Sequence, residues 1–181
     1  MRAQFIVAFL LALFFLPSAD ADELSPFLID NLIGKSAPDF TLQDQNGRSI
    51  ALSSLHGKPV LLNFWAPWAP NSRAEVITLG KLRVRPDMKE LVILGITVDK
   101  NETDAKQFVR QATVPYPVLS DPELAVTEKL YAVFMVPTTI FIDRQGVIAR
   151  IFFGQQEWLN PALLRNLQSM TGPAVADVQQ R

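Results

Sequence analysis

The sequence predicts an α/β protein with parallel strands at the centre of one mixed sheet flanked by helices. Three observations carry that prediction. First, Val60-Leu61-Leu62-Asn63-Phe64-Trp65 and Leu91-Val92-Ile93-Leu94-Gly95-Ile96-Thr97-Val98 are near-continuous apolar runs, as in strands covered on both faces. Second, the stretch between them changes to helical period, with Val76, Leu79 and Leu82 on one side and Lys81 and Arg85 on the other. Third, Thr138 to Ile142, the turn Asp143-Arg144-Gln145-Gly146 and Val147 to Phe153 form a late antiparallel pair.

The remaining elements follow in order. Residues 22 to 36 are a lead-in carrying two short apolar patches, Phe27-Leu28-Ile29 and Leu32-Ile33. Pro38-Asp39-Phe40-Thr41-Leu42 alternates as a strand does, Asn46-Gly47 signals a hairpin turn, and Ser49-Ile50-Ala51-Leu52 returns. Small residues from Ser53 to Pro59 make a turn, in which His56 reads as a turn residue without an evident catalytic partner. Pro70 opens the first helix and Pro86 ends it. Thr103 to Gln111 reads as a helix capped by Asn101 or Thr103, with acids in its first turn. Val118-Leu119 is a short strand, Pro122 to Val133 a helix with proline at its start, and Trp158 to Met170 the last helix. A periodic apolar face is missing from 172 to 181, which are expected to form a disordered tail. Gly80 stands alone within a helix and belongs to no phosphate-binding loop.

Composition narrows the chemistry. A chain of 181 residues, 49 % hydrophobic and 19 % charged with net charge −1, has the balance of one packed domain. That charge carries no nucleic-acid footprint. The chain contains no cysteine, which removes disulfides, thiolate catalysis and thiolate metal sites, and a single histidine removes multi-histidine metal centres. No cofactor is called for. Residues 1 to 21 read as a signal peptide: Arg2 is the positive start, Phe5 to Leu16 the apolar stretch, and Ala19-Asp20-Ala21 the small-x-small cleavage site. That apolar stretch falls short of the roughly 20 residues a bilayer span needs. The expected protein is exported and periplasmic, starting at Asp22; a retained N-terminal anchor is the alternative.

Four stretches then point to a family. They are Gly34-Lys35-Ser36-Ala37-Pro38-Asp39-Phe40-Thr41-Leu42, Leu52-Ser53-Ser54-Leu55-His56-Gly57-Lys58-Pro59, Asn63-Phe64-Trp65-Ala66-Pro67-Trp68 and Val136-Pro137-Thr138-Thr139-Ile140-Phe141-Ile142-Asp143. In this order they resemble the thioredoxin-fold thiol–disulfide oxidoreductases of the TlpA/ResA/CcmG type, related to the redoxin and AhpC/TSA proteins. The resemblance implies a thioredoxin-like domain over 37–171, with an N-terminal β-hairpin and an inserted αβ unit. It also implies that Val136-Pro137 is the family's cis-proline loop.

The family reads Trp-Cys-x-x-Cys where this chain reads Trp68-Ala69-Pro70-Asn71-Ser72. Ala69 has no nucleophile, and the Ser72 hydroxyl has a very high pKa and no evident base. Dithiol exchange cannot run through either residue. Ser72-Arg73-Ala74-Glu75 fits an S-x-x-E capping box, which would be worth on the order of 1 kcal/mol, although Pro70 favours an earlier helix start. Glu75 also matches, by spacing, an acid that tunes proton transfer in similar reductases. With no thiol to serve, it reads as a cap, a solvated helix residue or a relic. The family's proline two positions later is Ile77 here.

Trp68, Pro70, Val136 and Pro137 are the candidate surface for an extended peptide; the alternative is that they only hold the loop in shape. The expected activity is therefore redox-inactive binding or assembly. Its client would be an exported protein or peptide, cysteine-containing ones such as an apocytochrome among the candidates. The alternative is a thiol–disulfide oxidoreductase of the cytochrome c maturation type in cysteine-substituted form. A hydrolase or peroxidase using Ser72 with His56 lacks support in the sequence.

Overall fold

The protein is described by a computed structural model covering residues 29–171. The expected signal peptide over 1–21, residues 22–28 of the lead-in and the tail over 172–181 lie outside the described residues.

The elements are β1 (Thr41–Gln43), β2 (Ser49–Ala51), β3 (Val60–Trp65), α1 (Ser72–Arg83), β4 (Val92–Thr97), α2 (Glu102–Gln111), β5 (Val118–Ser120), β6 (Thr138–Ile142), β7 (Ile148–Phe153) and α3 (Pro161–Thr171). β1 and β2 form a separate antiparallel hairpin, and the main sheet runs β5-β4-β3-β6-β7. β3, β4 and β5 are parallel, whereas β6 and β7 are antiparallel additions. This is the expected mixed sheet, with α2 and β5 as the inserted unit.

Strand alternation divides the core into two layers. From β3, Leu61 and Trp65 join Val76, Leu79, Ile93, Phe141, Trp158 and Leu167 on the side of α1 and α3. Leu62 and Phe64 point the other way, to Phe40, Ile96, Tyr131 and Ile140. Ile29, in a single 3-10 turn over Ile29–Leu32, closes this second layer, so part of the lead-in belongs to the core. Gly80 has a packing reason for being glycine, because a Cβ there would stand 3.1 Å from Cδ of Pro115.

The expected Asn46-Gly47 hairpin is present, whereas two helix expectations need correction. The hairpin turn includes Gly47 at φ 78°, but Asp44 organises it by accepting from the amides of Asn46 and Arg48. The helix expected from Pro122 to Val133 is only one π-helical stretch, Ala125–Leu130. There the buried Asp121 carboxylate captures the Val126 and Thr127 amides and the Thr127 hydroxyl, while Leu124 adopts φ 56°. The last helix starts at Pro161, not Trp158, because Asn160 Oδ1 accepts from the Ala162 amide and caps it. The expected Asn101 cap is present, its side chain accepting from the Thr103 amide.

Candidate functional site

Sheet register brings three loops together at one end of the sheet. Trp65 ends β3 opposite Thr97 of β4, and Phe64 pairs with Thr138 of β6. The tryptophan loop, the β4–α2 turn and the loop before β6 therefore emerge side by side. The ends of β3 and β4 in this cluster are carboxyl ends, where crevices for ligands form in open α/β sheets. The Val136–Pro137 peptide is cis, as the resemblance implied. Trp68 is 67 % exposed and lines a groove of about 310 Å³ with Val98, Asp99, Leu124, Phe134 and Val136. Pro70 is exposed and Pro137 buried, and neither lines that groove.

The tryptophan loop is tightly wound. Ala69 N donates to Ala66 O and Ser72 N to Ala69 O, so the positions of Ala69 and Ser72 are joined across one turn. Arg73 fastens the loop from the helix side, donating from Nε to Pro67 O while its guanidinium lies over the Phe108 ring.

Helix α1 begins neither at Ala69 nor with a serine cap. Asn71 occupies the cap position with left-handed backbone (φ 64°) and makes no side-chain cap bond. Pro70 supplies no amide, and asparagine tolerates this backbone better than most residues, so the helix is delayed to Ser72. The expected capping box is absent: the Ser72 hydroxyl is buried without a hydrogen-bond partner among the described residues. His56 is exposed before the opposite end of β3, and that six-residue strand alone separates it from Ser72 by roughly 20 Å. No serine–histidine pair can form.

Glu75 is not a solvated residue. It is fully buried on the α1 side of the sheet. Its Oε1 accepts from Trp158 Nε1 at 2.7 Å and from Thr139 Oγ1 at 3.4 Å, and its Oε2 from the Gln156 amide at 2.8 Å. Thr139 also accepts from Asn63 Nδ2, its partner across the β3–β6 register. The network thus ties α1 to two strands and to the segment leading into α3. Burial raises the Glu75 pKa, opposed by the Gln156, Trp158 and Thr139 hydrogen bonds. Sequence reasoning singled out Glu75 but missed Asn63, Thr139, Gln156 and Trp158 as its surroundings. The available signal was Asn63, a lone amide inside an apolar strand, which needs a partner when buried.

Ala69 is almost fully buried, and Ser72 lies beneath it without a base. The chain holds no thiol for disulfide exchange. Among the described residues no cluster of three or more acidic or histidine groups could hold a metal ion, and no helix is long and apolar enough to cross a membrane. What the end of the sheet offers is an apolar, partly acidic groove beside an exposed indole.

The AhpC/TSA family model matches residues 33–151. Thiol-disulfide oxidoreductase ResA of Bacillus cereus is 33 % identical over 124 residues, 68 % of this chain and 71 % of its own length. Thioredoxin-like protein YneN of Bacillus subtilis is 34 % identical over 123 residues, 67 % and 71 % of the two chains. Among solved structures, a candidate thiol:disulfide interchange protein DsbE from Chlorobium tepidum matches with TM-score 0.70 at 28 % identity. That match covers 77 % of this chain and 98 % of the other.

Proposed function

The chain belongs to the AhpC/TSA family, among relatives of the ResA thiol-disulfide oxidoreductase type, and from that premise we propose that it is an exported, redox-inactive binding or assembly module. The proposed architecture is a signal peptide over 1–21, a lead-in over 22–36 and one thioredoxin-like domain over 37–171. Its clients are exported proteins or peptides, cysteine-containing ones such as an apocytochrome among them. Trp68, Pro70, Val136 and Pro137 form the proposed contact surface.

One observation carries this reading. The two positions that would bear sulfur are Ala69 and Ser72, both buried, while Trp68 beside them is exposed over a groove that includes Val136. The loop carries no thiol, while an exposed indole stands over the groove. An exposed indole beside an apolar wall is a typical anchor for a bound chain. The test is the affinity of labelled cysteine-containing apocytochrome peptides for the protein and for Trp68→Ala. The expected result is binding that weakens about tenfold or more in the variant. Unchanged affinity would count against this surface.

The second reading is a thiol–disulfide oxidoreductase in cysteine-substituted form. It is favoured by Glu75, which retains a fully bonded buried setting below the loop although no thiol is present. Under that reading the scaffold would support exchange again once cysteines stood at 69 and 72.

A further inference from the structure

The groove beside Trp68 has one wall that an apolar peptide would leave unsatisfied. Asp99 lies in the turn after β4 and is only 5 % exposed, yet it lines this groove. Its Oδ1 accepts from the Asn101 amide, and its own amide donates to Thr97 Oγ1. Its Oδ2 has no hydrogen-bond partner among the described residues. A buried carboxylate oxygen without a donor is costly, because it has given up water without replacement. Glu128 adds a second acid to the groove, and Lys100 is the one basic residue lining it. Most of the remaining wall is apolar, Trp68, Val98, Phe134 and Val136 among it.

We propose that this groove selects a basic side chain, so that the clients are extended peptides carrying a lysine or arginine beside apolar residues. The cation would pair with the Asp99 carboxylate at the groove wall, drawing Oδ2, which is closed to solvent, toward the groove, with the exposed Glu128 as the second acid. Its aliphatic stem would lie along Val98 and Val136, as long basic side chains do on apolar surface. The exposed indole of Trp68 offers a π-face to the same cation. Charge-assisted bonds in such partly buried settings are stronger than neutral ones, which makes charge the basis of the selection. This inference rests on the peptide-binding reading and adds the class of side chain bound.

The test uses fluorescein-labelled acetyl-Ala-Val-X-Val-Ala peptides, with X as lysine, norleucine or glutamate, titrated against the protein and against Asp99→Asn. Asparagine keeps an oxygen for the Asn101 amide while removing the charge, and Glu128→Gln provides a second, exposed variant that does not disturb the core. The lysine peptide is expected to bind about tenfold more tightly than the norleucine peptide, which corresponds to about 1.4 kcal/mol. The glutamate peptide should bind most weakly. In Asp99→Asn the lysine preference should collapse while norleucine affinity stays unchanged, and in Glu128→Gln it should shrink partly. Equal affinities for lysine and norleucine, or a preference that survives Asp99→Asn, would overturn the inference and leave peptide binding standing. Absence of binding by all three peptides would overturn both.

Discussion

The tryptophan loop just before α1 and the polar cluster around Glu75 on α1 stand a few residues apart and differ in kind. At the base of the loop, the buried Ala69 and Ser72 occupy the positions of the family's reactive pair, and the Ser72 hydroxyl has no hydrogen-bond partner among the described residues. One turn further along the helix, Glu75 has donors from Trp158, Gln156 and Thr139. The difference separates two kinds of constraint. A reactive group can be replaced at modest cost to the fold: Ala69 is buried in the loop, and Ser72 leaves one hydroxyl unpartnered among the described residues. A buried carboxylate cannot, since its removal strands every donor aimed at it. Glu75 holds α1, β6 and the approach to α3 together.

Mutations at the two places should differ in size and sign. The largest stability effect should come from Glu75→Ala, which orphans the Trp158 indole N–H and the Gln156 amide in the core. A loss of about 3 kcal/mol is expected from urea unfolding. A change within a few tenths of a kcal/mol would mean that the network carries no structural weight.

A smaller effect separates the charge of Glu75 from its shape. Burial raises its pKa above the ordinary 4.5. Below that value the carboxyl is protonated in both folded and unfolded chains. As pH rises above it the unfolded chain ionises first, so the folded state loses ground until Glu75 itself ionises. The stability difference between the protein and Glu75→Gln should therefore shift against the glutamate form as pH rises from about 4 to about 7. Parallel pH profiles would contradict a raised pKa. Asp39 and Glu102, whose pKa values are lowered chiefly by hydrogen bonds, act in the opposite direction in both proteins and cancel from the difference.

The smallest effect is one of sign. A serine cap would make Ser72→Ala destabilising. With its hydroxyl buried and unpartnered, the same change should stabilise the protein by about 1 kcal/mol, since alanine also favours helix. Thermal unfolding of the two proteins decides between them.

The sheet was largely legible because apolar runs such as 60–65 and 91–98 admit few alternatives to buried strands. Of the four candidate contact residues, Trp68 and Val136 share a groove, Pro70 and Pro137 do not line it, and the 136–137 bond is cis. Two things were hidden. Helix boundaries at Ser72, Ala125 and Pro161 depend on side chains that capture backbone amides or on tolerance of left-handed backbone, as at Asp121, Asn160 and Asn71. The setting of Glu75 depends on Trp158 and Gln156, more than 80 residues away in the chain. Local spacing allowed Glu75 to be a cap; only tertiary packing makes it a tie.

The most direct test of a scaffold stripped of its chemistry is insulin disulfide reduction by the protein beside Ala69→Cys/Ser72→Cys, with dithiothreitol supplied to both. No turnover above the reagent blank is expected for the protein as it stands, and measurable turnover is expected for the double variant. Turnover by the cysteine-free protein, or a folded double variant that neither forms a 69–72 disulfide nor reduces insulin, would contradict this expectation.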